Sequence, residues 1–225
     1  MAFRLPDDTQ HLTIIGQNGS GKTQAALWHL SKRSFNEKPW IIIDFKRDDH
    51  IEKIPYLEEI ETGVIPDRPG IFVVRPNISN PAPVADTLLA AYDHKNVGIW
   101  IDEGFLMGKN KVVEGAFEDI LTQGRSKKIP LIILVQRPVW VSRFVFSESK
   151  FFQTFDVQDA RDVDTATSVI PESAFIRLPA YHSSYYDTAL RKLDFLAPVP
   201  GEAEILAEIG RRQKLIRKEN GPRFI

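Results

Sequence analysis

The sequence predicts an α/β fold: a mainly parallel central sheet with helices on both faces. Three observations carry this expectation. Five short, almost wholly apolar runs recur between Leu12 and Val135, and such runs suit strands buried on both faces. Segments with helical spacing separate them, which calls for right-handed crossovers between parallel strands. A glycine-rich loop joins the first apolar run directly to the first helical segment.

In chain order, the first strand covers residues 12–16, and a helix runs from Thr23 to Leu30 after the loop. Further strands are expected at Trp40–Asp44, Ile71–Val74, Val97–Ile101 and Leu131–Val135. A helix between the third and fourth strands spans Pro83 to His94, with Val84, Leu88, Leu89 and Tyr92 as its inward stripe. The next helix turns Val113, Phe117, Ile120 and Leu121 inward and has Gly124 near its C-cap. Beyond Pro138 the pattern changes. Phe151–Phe155 reads as another strand. Asp156, Asp159, Asp162 and Asp164 supply turn and cap chemistry, with Asp162 heading a short helix to about Val169. Residues 175–200 read as short strands around a turn at His182-Ser183-Ser184. The expectation is one domain over residues 1–225, with a core at about 10–160 and an irregular extension of the same domain over 161–225.

Bulk properties exclude several classes. A chain of 225 residues, 43% hydrophobic and 26% charged, has an ordinary globular composition. No stretch approaches the roughly 18 apolar residues of a membrane span. Met1–Asp8 lacks the apolar segment of a signal peptide. The absence of cysteine removes disulfides, thiol catalysis and thiolate metal sites. Net charge is −1, so contact with a polyanion would need a local basic surface. Six basic residues between Arg211 and Arg223 against Glu219 are one candidate; a solvated helix end is the other reading.

The loop is Gly16-Gln17-Asn18-Gly19-Ser20-Gly21-Lys22-Thr23, which fits the P-loop pattern. Its glycines let the backbone curl so that successive N–H groups point at a triphosphate. Lys22 is placed for the β- and γ-phosphates and the Thr23 hydroxyl for Mg²⁺. The helix that follows adds the partial positive charge of its N-terminus.

A P-loop needs carboxylates to hold the metal and prepare water, and Asp102-Glu103 supplies both at the end of the fourth strand. Asp102 is the metal candidate and Glu103 the general base. Gln136, in Gln136-Arg137-Pro138 at the end of the fifth strand, is placed to sense the γ-phosphate or simply ends a strand. Arg125 lies just past a helix, where it either complements the helix C-terminus or acts on a neighbouring subunit as an arginine finger. A regulatory GTPase is disfavoured, since Asp102 is followed by Glu103-Gly104-Phe105 and Asn110-Lys111-Val112-Val113 lacks the guanine-binding aspartate.

Together, Gly16–Thr23, Asp44-Phe45-Lys46, Ile99–Glu103, Gly124-Arg125 and Val135-Gln136-Arg137-Pro138 resemble the FtsK–HerA superfamily of DNA-pumping ATPases, over roughly residues 10–160. The resemblance implies a RecA-like P-loop NTPase that uses ATP and Mg²⁺ in a homo-oligomeric ring, usually a hexamer. It implies Gln136 as sensor and Arg125 as a finger in trans. A chain this economical looks like the genome-packaging ATPases of tailless, membrane-containing double-stranded DNA viruses. The implied partners are double-stranded DNA and capsid vertex proteins, in the host cytoplasm and at the virion packaging vertex. Lys109, Lys111 and Arg143 are candidate DNA contacts, or ordinary solvated loop residues. Competing readings are a conjugation-type pump, an assembly or secretion factor resembling filamentous-phage morphogenesis proteins, and a stand-alone nucleotide switch.

Overall fold

The computed structural model describes residues 3–219, apart from the Glu219 side chain. Met1, Ala2 and residues 220–225, with Arg223 of the basic C-terminal cluster, lie outside the described residues. Nine strands form one sheet: β1 (Leu12–Ile15), β2 (Pro39–Ile43), β3 (Glu58–Glu59), β4 (Gly70–Val74), β5 (Gly98–Ile101), β6 (Leu131–Val135), β7 (Phe151–Thr154), β8 (Ser183–Asp187) and β9 (Lys192–Leu196). Seven α-helices accompany them among the described residues: α1 (Lys22–Ser31), α2 (Asp49–Glu52), α3 (Val84–His94), α4 (Lys111–Lys127), α5 (Phe144–Glu148), α6 (Ala160–Thr167) and α7 (Glu202–Glu219). The spatial order is β3-β4-β2-β5-β6-β1-β7-β8-β9. Pairings from β3 to β7 are parallel, and β7–β8 and β8–β9 are antiparallel.

Both faces of the parallel part are covered, which is why its strands read as unbroken apolar runs. Alternate residues of one strand serve opposite layers. Ile41, Ile43, Ile99, Ile101, Ile133 and Val135 pack beneath α3, α4 and α5. Ile14, Ile42, Trp100, Ile132 and Leu134 join Ala26, Leu27 and Leu30 of α1 and Ile205, Ile209 and Ile216 of α7. Gly98 opens β5 because a Cβ there would lie 2.1 Å from the Trp40 ring. No helix among the described residues is long and apolar enough to cross a membrane.

Several sequence expectations need correction. Leu89 is 45% exposed, and the inward stripe of α3 runs through Val84, Thr87, Leu88 and Ala91. The spacing i, i+3, i+4, i+7 is kept, but two small or polar residues fill it. Gly124 lies inside α4 and Arg125 in its last turn, rather than at and past its end. The helix stops at Lys128, whose φ of 58° supplies the left-handed cap. Gly124 is instead a close approach, since a Cβ would meet Ile129 O at 2.9 Å.

Asp159, not Asp162, caps α6, accepting from Arg161 N at 3.0 Å. Asp162 is buried, accepts from Val139 N at 3.0 Å and pairs with Arg137 Nε at 2.6 Å. The expected turn at His182-Ser183-Ser184 is displaced, because Ser183 and Ser184 begin β8. The hairpin turns after Asp187, whose Oδ1 accepts from Ala189 N and Leu190 N at 2.9 and 3.1 Å. In the basic stretch, Arg212 donates to Ser31 O and Arg33 O, and Arg217 pairs with Glu58 at 2.8 Å. Those two cations hold α7 in place, while Arg211, Lys214 and Lys218 face solvent.

Candidate active site

The loop after β1 is anchored on both neighbouring strands. Gly16 N donates to Val135 O at 3.1 Å, and Gln17 N donates to Asp156 O at 3.3 Å. Gly19 and Gly21 take φ values of 75° and 101°, a region that L side chains rarely adopt. That curl delivers Lys22 into the first turn of α1, where Ala25 N donates to Gly21 O at 2.9 Å. Lys22 is 7% exposed and donates from Nζ to Gln17 O at 2.7 Å. Burial lowers its pKa to about 8, against the opposing pull of Glu103 and Asp102. The ammonium is held at the helix N-terminus, where anions are favoured.

Topology sets the opposite wall. Strand β6 lies between β1 and β5, so the Asp-Glu pair stands two strand spacings, about 10 Å, across from the P-loop strand. That gap leaves room for phosphates and a water. Asp102 N donates to Ile43 O at 3.2 Å, extending the β5–β2 ladder and fixing the carboxylates at the carboxyl edge of the sheet. Asp102 and Glu103 are 8% and 1% exposed. Asp102 Oδ1 and Glu103 Oε1 are buried without hydrogen-bond partners. Burial, reinforced by Asp48, Asp44 and Glu103, pushes the Asp102 carboxyl up to about 7. Glu103 Oε2 forms an ion pair with Lys46 Nζ and lies 3.4 Å from Gln136 Nε2. Gln136 Nε2 also donates to Asn18 Oδ1 at 2.6 Å, bridging the loop and the carboxylate.

These groups surround a cleft of about 520 Å³. Asn18, Gly19, Gly21, Lys22, Thr23, Asp102, Glu103 and Gln136 all line it. Thus the fourth and fifth strand ends and the P-loop, predicted separately, are brought together. The donor set fits Mg²⁺: an unpartnered buried carboxylate oxygen and a threonine hydroxyl face one cleft, and hard oxygen ligands with phosphate and water complete such a shell. No cluster of three or more acidic or histidine ligands occurs among the described residues, so the phosphates would supply the remaining ligands.

Lys46 received no role from the sequence beyond its place in Asp44-Phe45-Lys46. The one available signal was its position at the carboxyl end of β2, next to β5. His50, Phe155, Tyr181, Pro198 and Val199 also line the cleft and were missed. They arrive from four separate segments, and nothing local marks them.

Arg125 is not brought to the cleft. Helix α4 starts after β5 on the carboxyl edge and ends before β6 on the amino edge, about 25 Å away along its 17 residues. The Arg125 side chain is exposed there. Lys109, Lys111 and Arg143 are exposed in the segments that follow β5 and β6, on the cleft's edge of the sheet. Lys109 lies over the Phe105 ring at 5.6 Å and Arg143 over Phe144 at 5.2 Å, while Lys111 pairs with Glu114 at 2.7 Å.

No family model matches the sequence. Among curated proteins, the chain is 37% identical over 227 aligned positions to the DNA packaging ATPase P9 of Enterobacteria phage PRD1. That match covers 95% of this chain and 99% of the relative. Among solved structures, the genome packaging NTPase B204 of Sulfolobus turreted icosahedral virus 2, in complex with ATPγS, superposes with a TM-score of 0.70 at 18% identity. It covers 87% of this chain and 100% of B204. The pCW3 conjugation coupling protein TcpA, solved with ATPγS, reaches a TM-score of 0.63 at 15% identity over 95% of this chain and 65% of TcpA. These likenesses establish the α/β P-loop NTPase fold.

Proposed function

The chain belongs to the DNA packaging ATPase family of phage PRD1 P9, and from that premise we propose that it hydrolyses ATP to drive double-stranded viral DNA into a preformed capsid. It is an ATPase by family. The observation that carries the mechanism is the pair of buried, unpartnered carboxylate oxygens facing the P-loop lysine across one cleft.

In this reading the loop amides from Gly16 to Thr23 and the Lys22 ammonium bind the phosphates. Thr23 and Asp102 would hold Mg²⁺, which would screen phosphate charge. Glu103 accepts a proton from the water that attacks the γ-phosphorus, and the bond to the β–γ bridging oxygen breaks as ADP leaves. Two contacts must change first. Lys22 exchanges Gln17 O for phosphate oxygen, and Lys46 moves from Glu103 to the incoming anion, which frees the base. Gln136, touching both Asn18 and Glu103, registers whether the γ-phosphate is present.

Arg125 fits a role in trans, because it is exposed at the edge of the sheet away from its own cleft. We therefore assign the working form to a homo-oligomeric ring, hexameric in the simplest case. Such a ring would act in the host cytoplasm and at the capsid's packaging vertex. Lys109, Lys111 and Arg143 are exposed in the segments that follow β5 and β6, on the cleft's edge of the sheet, and would follow its nucleotide state. Contacts of this kind read phosphate charge, so binding should be indifferent to sequence and weaken with salt.

Displacement of a triplex-forming strand from linear duplex tests the proposal. Wild-type protein should displace it only with Mg²⁺ and hydrolysable ATP, and hydrolysis should rise with duplex concentration. Hydrolysis that ignores DNA, without displacement, would favour an assembly or secretion factor instead. Mixing Arg125→Ala and Lys22→Ala subunits addresses the finger: restored hydrolysis at mixed interfaces supports donation across subunits, and none opposes it.

A further inference from the structure

We propose that Tyr181, Phe155 and the Pro198-Val199 segment seat the base of the bound nucleotide, with the Tyr181 ring stacked on its face. This inference rests on the nucleotide reading of the cleft and deepens it. The cleft does not end at the phosphate loop. Beside Gly21 and Gln24 it is also lined by Tyr181, Phe155, Pro198 and Val199, and the Tyr181 and Phe155 rings both lie against Gly21. The phosphate end is lined by lysines, carboxylates and amides, whereas this end offers flat rings and short apolar side chains. That is the chemistry of a planar heteroaromatic ring, not of another phosphate.

Tyr181 is unusual in two independent ways. Its φ is 62°, a left-handed conformation that is an outlier for a bulky side chain. Outliers of this kind gather at ligand clamps. Its side chain also gains little from the core, being 60% exposed. The ring nonetheless stands against the P-loop: a Cβ on Gly21 would lie 3.3 Å from Tyr181 Cδ1. A tight turn, His182 N donating to Pro179 O at 3.1 Å, presents it there.

The Pro198-Val199 segment is tied down on its C-terminal side. Gln24 Nε2 donates to Pro200 O at 2.7 Å, tying the segment to the first turn of the phosphate-binding helix. Glu202, next in line, is held by His50 Nδ1 at 2.5 Å and Lys53 Nζ at 3.1 Å. With that segment tied to α1 and α2 and the tyrosine set by its own turn, the slot is pre-formed. Ring stacking is tolerant of the base's edge, so the slot should accept adenine and guanine nucleotides alike.

Binding of ATP, GTP and inorganic tripolyphosphate, each with Mg²⁺, is measured by calorimetry on wild type, Tyr181→Ala and Tyr181→Phe. Tyr181→Ala should raise the Kd for ATP and GTP about tenfold and leave tripolyphosphate and the thermal midpoint unchanged. Tyr181→Phe should bind like wild type. Equal ATP affinity in wild type and Tyr181→Ala overturns the base seat, as does a parallel loss of ATP and tripolyphosphate. Wild type that binds neither ligand would sink the nucleotide reading, and the seat with it.

Discussion

Two groups of buried polar side chains sit within this one sheet, and they are built on opposite principles. Between α1 and the antiparallel strands, His29 Nε2 donates to Gln153 Oε1 at 2.7 Å, and Gln153 Nε2 donates to Ser183 Oγ at 2.9 Å. Nearby, Thr13 and Ser149 share a bond of 2.8 Å. His11 donates to Leu121 O at 3.2 Å and accepts from Leu131 N at 3.1 Å. Burial lowers the His29 and His11 pKa values to about 3 and 4, so both rings stay neutral. In the cleft, by contrast, Asp102 Oδ1 and Glu103 Oε1 have no hydrogen-bond partner. Buried polar atoms of Trp40, Trp100, Asp8, Arg33, Asp44, Arg75 and Arg137 also lack hydrogen bonds. The indoles are neutral, however, and Asp44, Arg75 and Arg137 stand in ion pairs, whereas no ion pair to Asp102 occurs among the described residues. A closed polar network stabilises a fold; an open, charged one awaits a ligand.

The comparison is best broken by substitutions that ought to separate activity from stability. The largest effect is expected at Glu103. Glu103→Gln should lower kcat by about 10²–10⁴ while retaining ATP, measured by steady-state hydrolysis beside calorimetric binding; ordinary turnover would remove Glu103 from the base role. Next comes the closed network. Gln153→Leu strands His29 and Ser183 and should cost about 1–3 kcal/mol of unfolding free energy in urea, with kcat unchanged. A matching loss of kcat would mean that the two clusters are coupled after all.

The third effect is a pH dependence. The Asp102 carboxyl is raised to about 7 mainly by burial, and the metal needs it ionised. Affinity for Mg·ATP should therefore fall as pH drops from 8 to 6. The sign for stability is the reverse. A raised carboxyl stabilises the ligand-free fold fully below its unfolded pKa of about 4, and that contribution is lost as pH rises through about 7. Asp102→Asn should flatten both profiles; profiles that keep their slopes would place the titrating group elsewhere.

Much of the parallel part of the fold was legible because burial on both faces writes itself into consecutive residues. Ile41-Ile42-Ile43 and Leu131–Val135 show this, and each falls within its strand. The P-loop was legible because its backbone path demands glycine at fixed places. Asp102-Glu103 and Gln136 followed from the rule that ligands gather at strand carboxyl ends, and all three line the cleft. What the sequence hid is long-range. Gln153 meets His29 across 124 positions, and Tyr181 meets Gly21 across a comparable span. Lys46 faces Glu103 because β2 neighbours β5, and that order is a property of the sheet. Asp162 was misread for the same reason: its partners, Arg137 and Val139, are distant in sequence and leave no helical signature.

The most direct test is the affinity of Glu103→Gln protein for ATP, with and without Mg²⁺, before and after adding Asp102→Ala. The account predicts tighter binding with the cation in Glu103→Gln alone, and no such gain once Asp102 is removed. A gain that survives Asp102→Ala, or ATP binding indifferent to Mg²⁺ throughout, would contradict a cleft whose open carboxylate waits for a metal-bound triphosphate.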